Sequence, residues 1–224
     1  MSIATFIDHT ILKPTAFSED IVQTCNEAMK YGFAAACIPP VYVSLALNLL
    51  KDSKIRIATV IGFPFGYHHL NVKLKETRMA INEGASEIDM VINLTALKNK
   101  DYKTLETEGS ALRKLTQRHN VILKIIIESG ILSNAEIIEC CKIYSAIGID
   151  FLKTSTGYAD KGASVQAVAL MRKHLVPQIK IKASGGIKNY AFAKELIYAG
   201  ADRLGCSASV AIVKGERELQ GKKY

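Results

Sequence analysis

The chain lacks the apolar segments that membrane and exported proteins need. Its 224 residues contain no apolar run long enough to span a bilayer. The segment from Met1 to Thr15 carries charged side chains and has no basic start followed by a long apolar run, so it does not resemble a secretion signal. We therefore expect a cytoplasmic protein that does not bind membranes.

Cysteine is scarce and is not arranged for metal binding. The five cysteines are odd in number and show neither a CxxC motif nor the Cys/His spacing of a zinc site. They are Cys25, Cys37, Cys140, Cys141 and Cys206. Reduced thiols are the simplest interpretation, and we expect no metal and no other cofactor.

The formal net charge of +8 does not come from a basic run. Lysines and arginines are scattered along the chain and are not interleaved with aromatic residues, so the sequence does not favour nucleic-acid binding. A small anionic ligand suits this charge better.

Short β-branched apolar runs alternate with longer amphipathic stretches, which is typical of repeated βα units around a parallel sheet. Predicted strands lie at 6–10, 34–38, 55–63, 87–93, 121–128, 150–155, 179–184 and 203–207, the first being the weakest. Predicted helices lie at 19–30, 41–50, 72–83, 104–118, 134–146, 164–174 and 191–199. Eight units without a linker favour a (β/α)8 TIM barrel with an extra N-terminal helical segment, and an open doubly wound sheet is the alternative. We expect a single domain over 1–224 with a flexible tail at about 215–224.

Four predicted neighbouring strands carry an ionisable residue on the face that would point into the barrel. These residues are Asp89, Lys124, Lys153 and Lys182. Because side chains alternate along a strand, the apolar face of each strand should meet the helices and leave these groups inside. A structural ion network, or lysines extending to water at the rim, is the alternative. We expect Glu87 and Lys180 at the opposite rim of the barrel.

Three lysines with one carboxylate leave an excess of positive charge. Like charge and burial both lower the pKa of a lysine, and only a neutral amine attacks a carbonyl carbon. Lys153 or Lys182 is therefore a candidate for a Schiff base.

Glycine and serine follow the last strands at the end where a barrel holds its site. Ser184, Gly185 and Gly186 follow the seventh predicted strand, and Gly205, Cys206 and Ser207 close the eighth. Glycines let backbone N–H groups approach an anion, and these loops are where barrels commonly bind phosphate. With Gly157, they predict a phosphate site.

With these residues in view, the chain resembles the deoxyribose-phosphate aldolases, a family of class I aldolases. The motifs that carry the resemblance are IDHTILKPTA (7–16), TVIGFPFG (59–66), EIDMVIN (87–93), LKIIIES (123–129), FLKTSTG (151–157), IKASGGI (181–187) and GADRLGCS (200–207). The resemblance implies a cytoplasmic barrel, often a homodimer. It further implies cleavage of 2-deoxy-D-ribose 5-phosphate to D-glyceraldehyde 3-phosphate and acetaldehyde.

The resemblance also implies a role for each matching residue. Lys153 would form the Schiff base, Lys182 would lower its pKa and assist proton transfer, and Asp89 would donate and accept protons. Asp8 and Lys124 would support this relay. The phosphate would bind at Gly157, Ser184, Gly185, Gly186, Gly205 and Ser207.

Other positions match the family less closely or have a simpler explanation. Cys37 matches a cysteine near the site, although it also suits a small core thiol. Lys188 stands at a position where arginine is frequent in the family, and Tyr158 at one where some relatives have lysine and others an aromatic residue. Where a serine-rich ending is more usual, this chain has Cys206, Ala208 and Ser209, which removes one possible hydroxyl donor. Tyr224 could reach the site from the tail, with a frayed terminus as the alternative.

Two other functions share these features. A transaldolase-like or ketose-phosphate aldolase would also use a lysine and a phosphate site. A non-catalytic phosphosugar-binding protein could keep the pocket, but the presence of Lys153, Lys182 and Asp89 together argues against it.

Overall fold

The computed structural model describes residues 2–221, apart from the side chain of Gln220. Eight parallel strands form a closed barrel in chain order, with the first strand pairing with the last. The strands are β1 (Ile7–Thr10), β2 (Ala35–Ile38), β3 (Arg56–Ile61), β4 (Glu87–Val91), β5 (Ile122–Ile126), β6 (Phe151–Lys153), β7 (Lys180–Ser184) and β8 (Arg203–Cys206). The predicted barrel is therefore confirmed, and the open sheet is wrong.

Helices surround the barrel and cover the apolar face of each strand. They are α1 (Ser18–Tyr31), α2 (Val43–Leu50), α3 (Leu70–Asn82), α4 (Leu94–Lys98), α5 (Tyr102–Arg118), α6 (Asn134–Ile147), α7 (Val165–His174), α8 (Tyr190–Tyr198) and α9 (Ser209–Gly221). Among residues 2–221, none of the helices is both long enough and apolar enough to cross a membrane.

Local sequence signals set several helix ends. Ser133 and Glu136 form the predicted capping box of α6: the Ser133 backbone N–H donates to the Glu136 carboxylate at 2.7 Å, and the Glu136 N–H donates to Ser133 Oγ at 3.3 Å. Gly148 ends the same helix in the left-handed conformation, with φ 70°, as expected for a C-cap glycine.

The two ends of the chain meet on the barrel surface. The N-terminal helical segment is a short 3₁₀ helix at Ile3–Phe6. Its Ile3 N–H donates to Glu216 Oε1 at 3.0 Å, and Glu216 lies in α9. Residues 215–221 continue α9, and Glu216 among them is buried. The flexibility of a tail from about 215 stays a prediction. Tyr224 lies outside the described residues.

The interior of the barrel has two unlike sides. A small apolar cluster, separate from the main core, is formed on β2 and β3 by Ala35, Cys37 and Ala58. Leu12 contacts this cluster. The opposite wall carries the charged residues of β4 to β7. Small side chains on one wall leave room for long lysines that extend from the other.

Candidate active site

The four ionisable residues predicted to converge do meet inside the barrel. Asp89 bonds all three lysines: its Oδ1 lies 2.7 Å from Lys124 Nζ, and its Oδ2 lies 2.8 Å from Lys153 Nζ and 2.7 Å from Lys182 Nζ. The strand register makes this possible, because Asp89 is paired with Lys124 and Lys153 with Lys182. All four side chains are buried.

Two further carboxylates belong to this charge cluster. Asp8 Oδ2 lies 2.5 Å from Lys182 Nζ, and Glu87 Oε2 lies 2.5 Å from Lys124 Nζ. Arg203 adds a cation, with its guanidinium 2.6 Å from Asp8 Oδ1. The prediction that Glu87 lies at the barrel rim is wrong, because the staggered strands place its side chain beside Lys124. Lys180 is exposed at the start of β7, as predicted.

The charge balance of the cluster differs from the one that the sequence suggested. Among the largely buried groups, three carboxylates oppose three lysines and Arg203, so their excess is one positive charge when every group is ionised. Arg56 also contacts Glu87, at 3.4 Å, but is half-exposed. Loss of one proton from Lys153 leaves three cations against three anions. Because unbalanced buried charge is costly, the arrangement favours a neutral amine at one lysine.

The surroundings shift the pKa values of Lys153 and Lys182 in opposite directions. Burial lowers the pKa of Lys153, and the positive charge of Lys182 adds to this effect, while Asp89 opposes it. Burial would also lower the pKa of Lys182, but Asp8 and Asp89 outweigh it and raise that pKa well above its ordinary value. Lys182 is therefore the protonated neighbour, and Lys153 is the amine that more readily loses its proton.

Asp89 and Asp8 are held in their charged forms. Burial alone would raise the pKa of Asp89, but Lys124, Lys153 and Lys182 bring it well below its ordinary value. The pKa of Asp8 is also lowered, because Lys182, Lys124 and Arg203 outweigh its burial. An ionised Asp89 can accept a proton or hydrogen bond from any of the three amines.

A cavity of about 620 Å³ opens at the C-terminal ends of the strands. Lys153 lines this cavity, with 2% of its surface exposed, whereas Lys124 and Lys182 lie fully buried beneath it. A molecule that enters the cavity therefore reaches the amine of Lys153 first.

The predicted phosphate-site residues surround the same cavity. Lining residues include Gly157, Ser184, Gly185, Gly186, Gly205 and Ser207, together with Lys188 and Tyr158. Gly157 and Gly185 adopt φ values of 89° and 88°, a left-handed conformation that favours glycine, and their backbones are neighbours across the cavity wall. The structure thus brings together the residues that the sequence proposed.

Two of these residues also have packing roles. A Cβ on Gly205 would lie 3.0 Å from Lys182 Cε, so glycine leaves the space that the lysine stem fills. The Ser184 hydroxyl donates to the Ser155 carbonyl oxygen at 2.6 Å and ties the two glycine-bearing loops together.

Three other residues singled out from the sequence, Tyr158, Ser209 and Cys37, have defined places in the structure. The Tyr158 hydroxyl donates to the Leu12 carbonyl oxygen at 2.8 Å and thereby links two loops at the cavity mouth. Ser209 is buried and donates to the Cys206 carbonyl oxygen at 2.9 Å, so this hydroxyl is used within the protein. Cys37 is fully buried in the small apolar cluster, and burial raises the pKa of its thiol.

Sequence reasoning missed some side chains around the site. His9 lines the cavity and joins α1 to α9, with Nε2 2.7 Å from Glu27 Oε2 and Nδ1 2.9 Å from Ser209 Oγ. No local signal marks this contact, because His9 and Ser209 are 200 residues apart. Arg203 and Glu87 were visible only as charged residues at predicted strand starts.

Comparison with known proteins agrees with this geometry. Residues 2–212 match the model of the DeoC/LacD family aldolases. The chain is 45% identical over 222 residues to the deoxyribose-phosphate aldolase of Caldanaerobacter subterraneus subsp. tengcongensis, which covers 99% of this chain and 96% of that protein. It is 46% identical over 215 residues to the deoxyribose-phosphate aldolase of Lactococcus lactis subsp. lactis, covering 96% and 97%.

Solved structures extend the likeness to the fold. The deoxyribose phosphate aldolase from Aeropyrum pernix, described as a tetramer, superposes with a TM-score of 0.91 at 32% identity and covers 97% of this chain and 92% of its own. The family resemblance recognised in the sequence is thus confirmed, and the chain belongs to the DeoC/LacD family of aldolases.

Proposed function

We propose that this chain reversibly cleaves 2-deoxy-D-ribose 5-phosphate to D-glyceraldehyde 3-phosphate and acetaldehyde, and that it serves the breakdown of deoxyribonucleosides. The observation that carries the proposal is the buried amine of Lys153, which opens on the cavity and bonds Asp89 at 2.8 Å. The names of the relatives in the same family support the substrate.

The first half of the reaction joins the substrate to the enzyme. The neutral amine of Lys153 attacks C1 of the open-chain aldehyde and forms a carbinolamine, whose hydroxyl leaves as water. Lys182 is the protonated neighbour that can supply the proton for this departure, and Asp89 bonds both amines through one oxygen and can pass protons between them. The product is a protonated imine on Lys153.

The second half breaks the C2–C3 bond. The relay of Asp89 and Lys182 takes the proton of the C3 hydroxyl, so that C3 becomes an aldehyde. The electrons of the broken bond move into the imine to form an enamine, to which the relay can return the proton. Glyceraldehyde 3-phosphate leaves; protonation of the enamine carbon and hydrolysis then release acetaldehyde and return the amine. The protonated imine is the electron sink throughout.

Asp8 and Lys124 act through the other members of the charge cluster. Asp8 is the second carboxylate that bonds Lys182, at 2.5 Å. Lys124 bonds the other oxygen of Asp89, at 2.7 Å, and so fixes the direction in which this carboxylate points. Both residues therefore support the relay without reaching the cavity.

The phosphate of the substrate would bind at the glycine-bearing loops. Backbone N–H groups near Gly157, Gly185 and Gly186 can approach an anion because no side chain intervenes. Ser207 is exposed in the cavity just before α9, and Lys188 supplies a positive charge in place of the more frequent arginine. In this proposal the phosphate would lie at the cavity wall and the aldehyde near Lys153.

Activity measurements on a substrate panel test the proposal. Purified protein should release glyceraldehyde 3-phosphate from 2-deoxyribose 5-phosphate but not from ketose phosphates. Lys153→Met should abolish turnover, whereas Lys180→Met, at the exposed start of β7, should not. Wild-type-like activity of Lys153→Met, or preference for a ketose phosphate, would refute the assignment.

We also propose a single aldolase domain over 1–224, a homodimer and a cytoplasmic location. Pairing of β1 with β8 supports one domain, because the two ends of the sequence complete the same barrel. All five cysteines are unpaired and buried, which suits a reducing compartment. Light scattering on the purified protein distinguishes a dimer from a tetramer such as the Aeropyrum pernix relative.

A further inference from the structure

Glu128 is a buried carboxylate to which the reaction above assigns no role. It follows β5 and adopts φ 55° and ψ 54°, the left-handed region that side chains other than glycine rarely occupy. Such a conformation costs free energy and persists when the surrounding contacts hold it in place. The contacts of Glu128 therefore show what holds it in this conformation.

The hydrogen bonds of the Glu128 side chain all go to one residue of the loop after β6, Thr156. The backbone N–H of Thr156 donates to both carboxylate oxygens of Glu128 at 3.2 Å, and the Thr156 hydroxyl donates to Oε2. The same hydroxyl oxygen accepts a hydrogen bond from the Tyr158 N–H at 3.0 Å. A continuous chain of bonds thus runs from Glu128 to the residues on both sides of Gly157.

The carboxylate is costly in this position. Glu128 is 4% exposed, and none of the ion pairs among the described residues includes it. Burial raises the pKa of its carboxyl group, and the hydrogen bonds from Thr156 and the charge of Lys153 only partly oppose this rise. A neutral side chain would avoid the free-energy cost of burying a charge. The hydrogen bonds that the carboxylate oxygens accept from Thr156 therefore account for a carboxylate at this position.

That loop forms one wall of the cavity. Thr156, Gly157 and Tyr158 line it, facing Gly185 on the opposite loop. Gly157 has φ 89° and no side chain to fix its position, so the hydrogen bonds on either side of it determine where its backbone lies. Lys153, in contrast, belongs to β6 and is held by the barrel itself.

We propose that Glu128 is a positioning residue that fixes the 156–158 wall of the cavity for the phosphate end of the substrate, an inference that rests on the proposed function. It acts through Thr156 and does not touch the reacting atoms. Loss of its charge loosens the wall but leaves Lys153 and its partners on their strands.

The test separates binding of the phosphate end from chemistry at Lys153. Glu128→Gln keeps the size of the side chain and should raise KM for 2-deoxyribose 5-phosphate by roughly tenfold to a hundredfold, the range expected when hydrogen bonds to a charged group are lost. The kcat at saturation, KM for unphosphorylated 2-deoxyribose, and borohydride trapping of acetaldehyde on Lys153 should change far less. Glu139→Gln, on the surface of α6, is the matched control and should change none of these values.

Variants of the partner complete the test. Thr156→Ser keeps the hydroxyl and should behave like the wild type, whereas Thr156→Val should reproduce the rise in KM and add little in combination with Glu128→Gln. An unchanged KM, or an equal loss with both sugars, would overturn the role of Glu128. Failure of the wild-type protein to cleave the phosphorylated sugar would refute the proposed function instead.

Discussion

Replacement of Lys182 by methionine should raise the pKa of Lys153 and slow the reaction. Both amines bond Asp89 Oδ2, at 2.8 and 2.7 Å, so they lie no more than roughly 5.5 Å apart. At an effective dielectric constant of about 20, two unit charges at this distance repel each other by about 3 kcal/mol. Without this repulsion, and with Asp89 Oδ2 no longer shared with a second lysine, the neutral fraction of Lys153 should fall on the order of a hundredfold.

The pH dependence of kcat/KM measures this change directly. Lysine reacts in its unprotonated form, so a higher pKa moves the rising limb of the pH profile of Lys182→Met to higher pH, and raising the pH should restore part of the activity. Release of glyceraldehyde 3-phosphate, followed by a coupled dehydrogenase, provides the assay. A rising limb that stays in place or moves to lower pH would refute the reasoning.

Two further variants distinguish the effect on the pKa of Lys153 from a loss of activity caused by unfolding. Lys180→Met removes a lysine from the exposed start of the same strand and should leave the pH profile unchanged. Lys182→Met leaves Asp8 buried with one cation fewer, which should cost about 3–5 kcal/mol of stability. The double variant Lys182→Met/Asp8→Asn removes one charge of each sign and should fold more stably than the single variant while keeping the shifted pH profile.

Three other substitutions test the structure around the site. Gly66→Ala should destabilise the protein by roughly 3 kcal/mol, seen in urea unfolding, because φ is 75° and a Cβ would lie 1.8 Å from the Ile92 carbonyl oxygen; unchanged stability would contradict this backbone geometry. Lys73→Met should lower the free energy of unfolding by about 3–5 kcal/mol in the same assay, because buried Glu108 loses the Lys73 amine that lies 2.6 Å from its carboxylate. Unchanged stability would mean that this ion pair is not formed. Lys188→Met should raise KM for the phosphorylated sugar but not for 2-deoxyribose, and equal effects on both sugars would exclude a phosphate contact.

The sequence predicted the barrel well because each strand carries its own apolar pattern. All eight predicted strands are present, and the one with the weakest sequence pattern is β1, at Ile7–Thr10. Strand β6 is shorter than predicted and ends at Lys153, because the backbone after it bonds neighbouring loops; the Ser129 N–H, for example, donates to the Thr154 carbonyl oxygen. Helix α9 was missed because its position depends on distant contacts such as the one between Ile3 and Glu216.

The composition of the charge cluster was harder to predict than its location. Alternation along each strand places Asp89, Lys124, Lys153 and Lys182 inside the barrel, but the stagger between strands decides which other residues lie at the same height. Glu87 begins its strand and therefore suggested a rim position, yet its carboxylate bonds Lys124. Glu128 was visible as the last inward position of a predicted strand, whereas its left-handed conformation arises from contacts to Thr156.

Covalent trapping on Lys153 tests the central claim most directly. Protein incubated with 2-deoxyribose 5-phosphate and borohydride should carry a reduced sugar or an ethyl group on Lys153 when its peptides are examined by mass spectrometry. Lys182→Met should yield less of the same adduct, and Lys153→Met should yield none. An adduct on another lysine, or no adduct while glyceraldehyde 3-phosphate is released, would contradict the assignment of Lys153 as the Schiff-base residue.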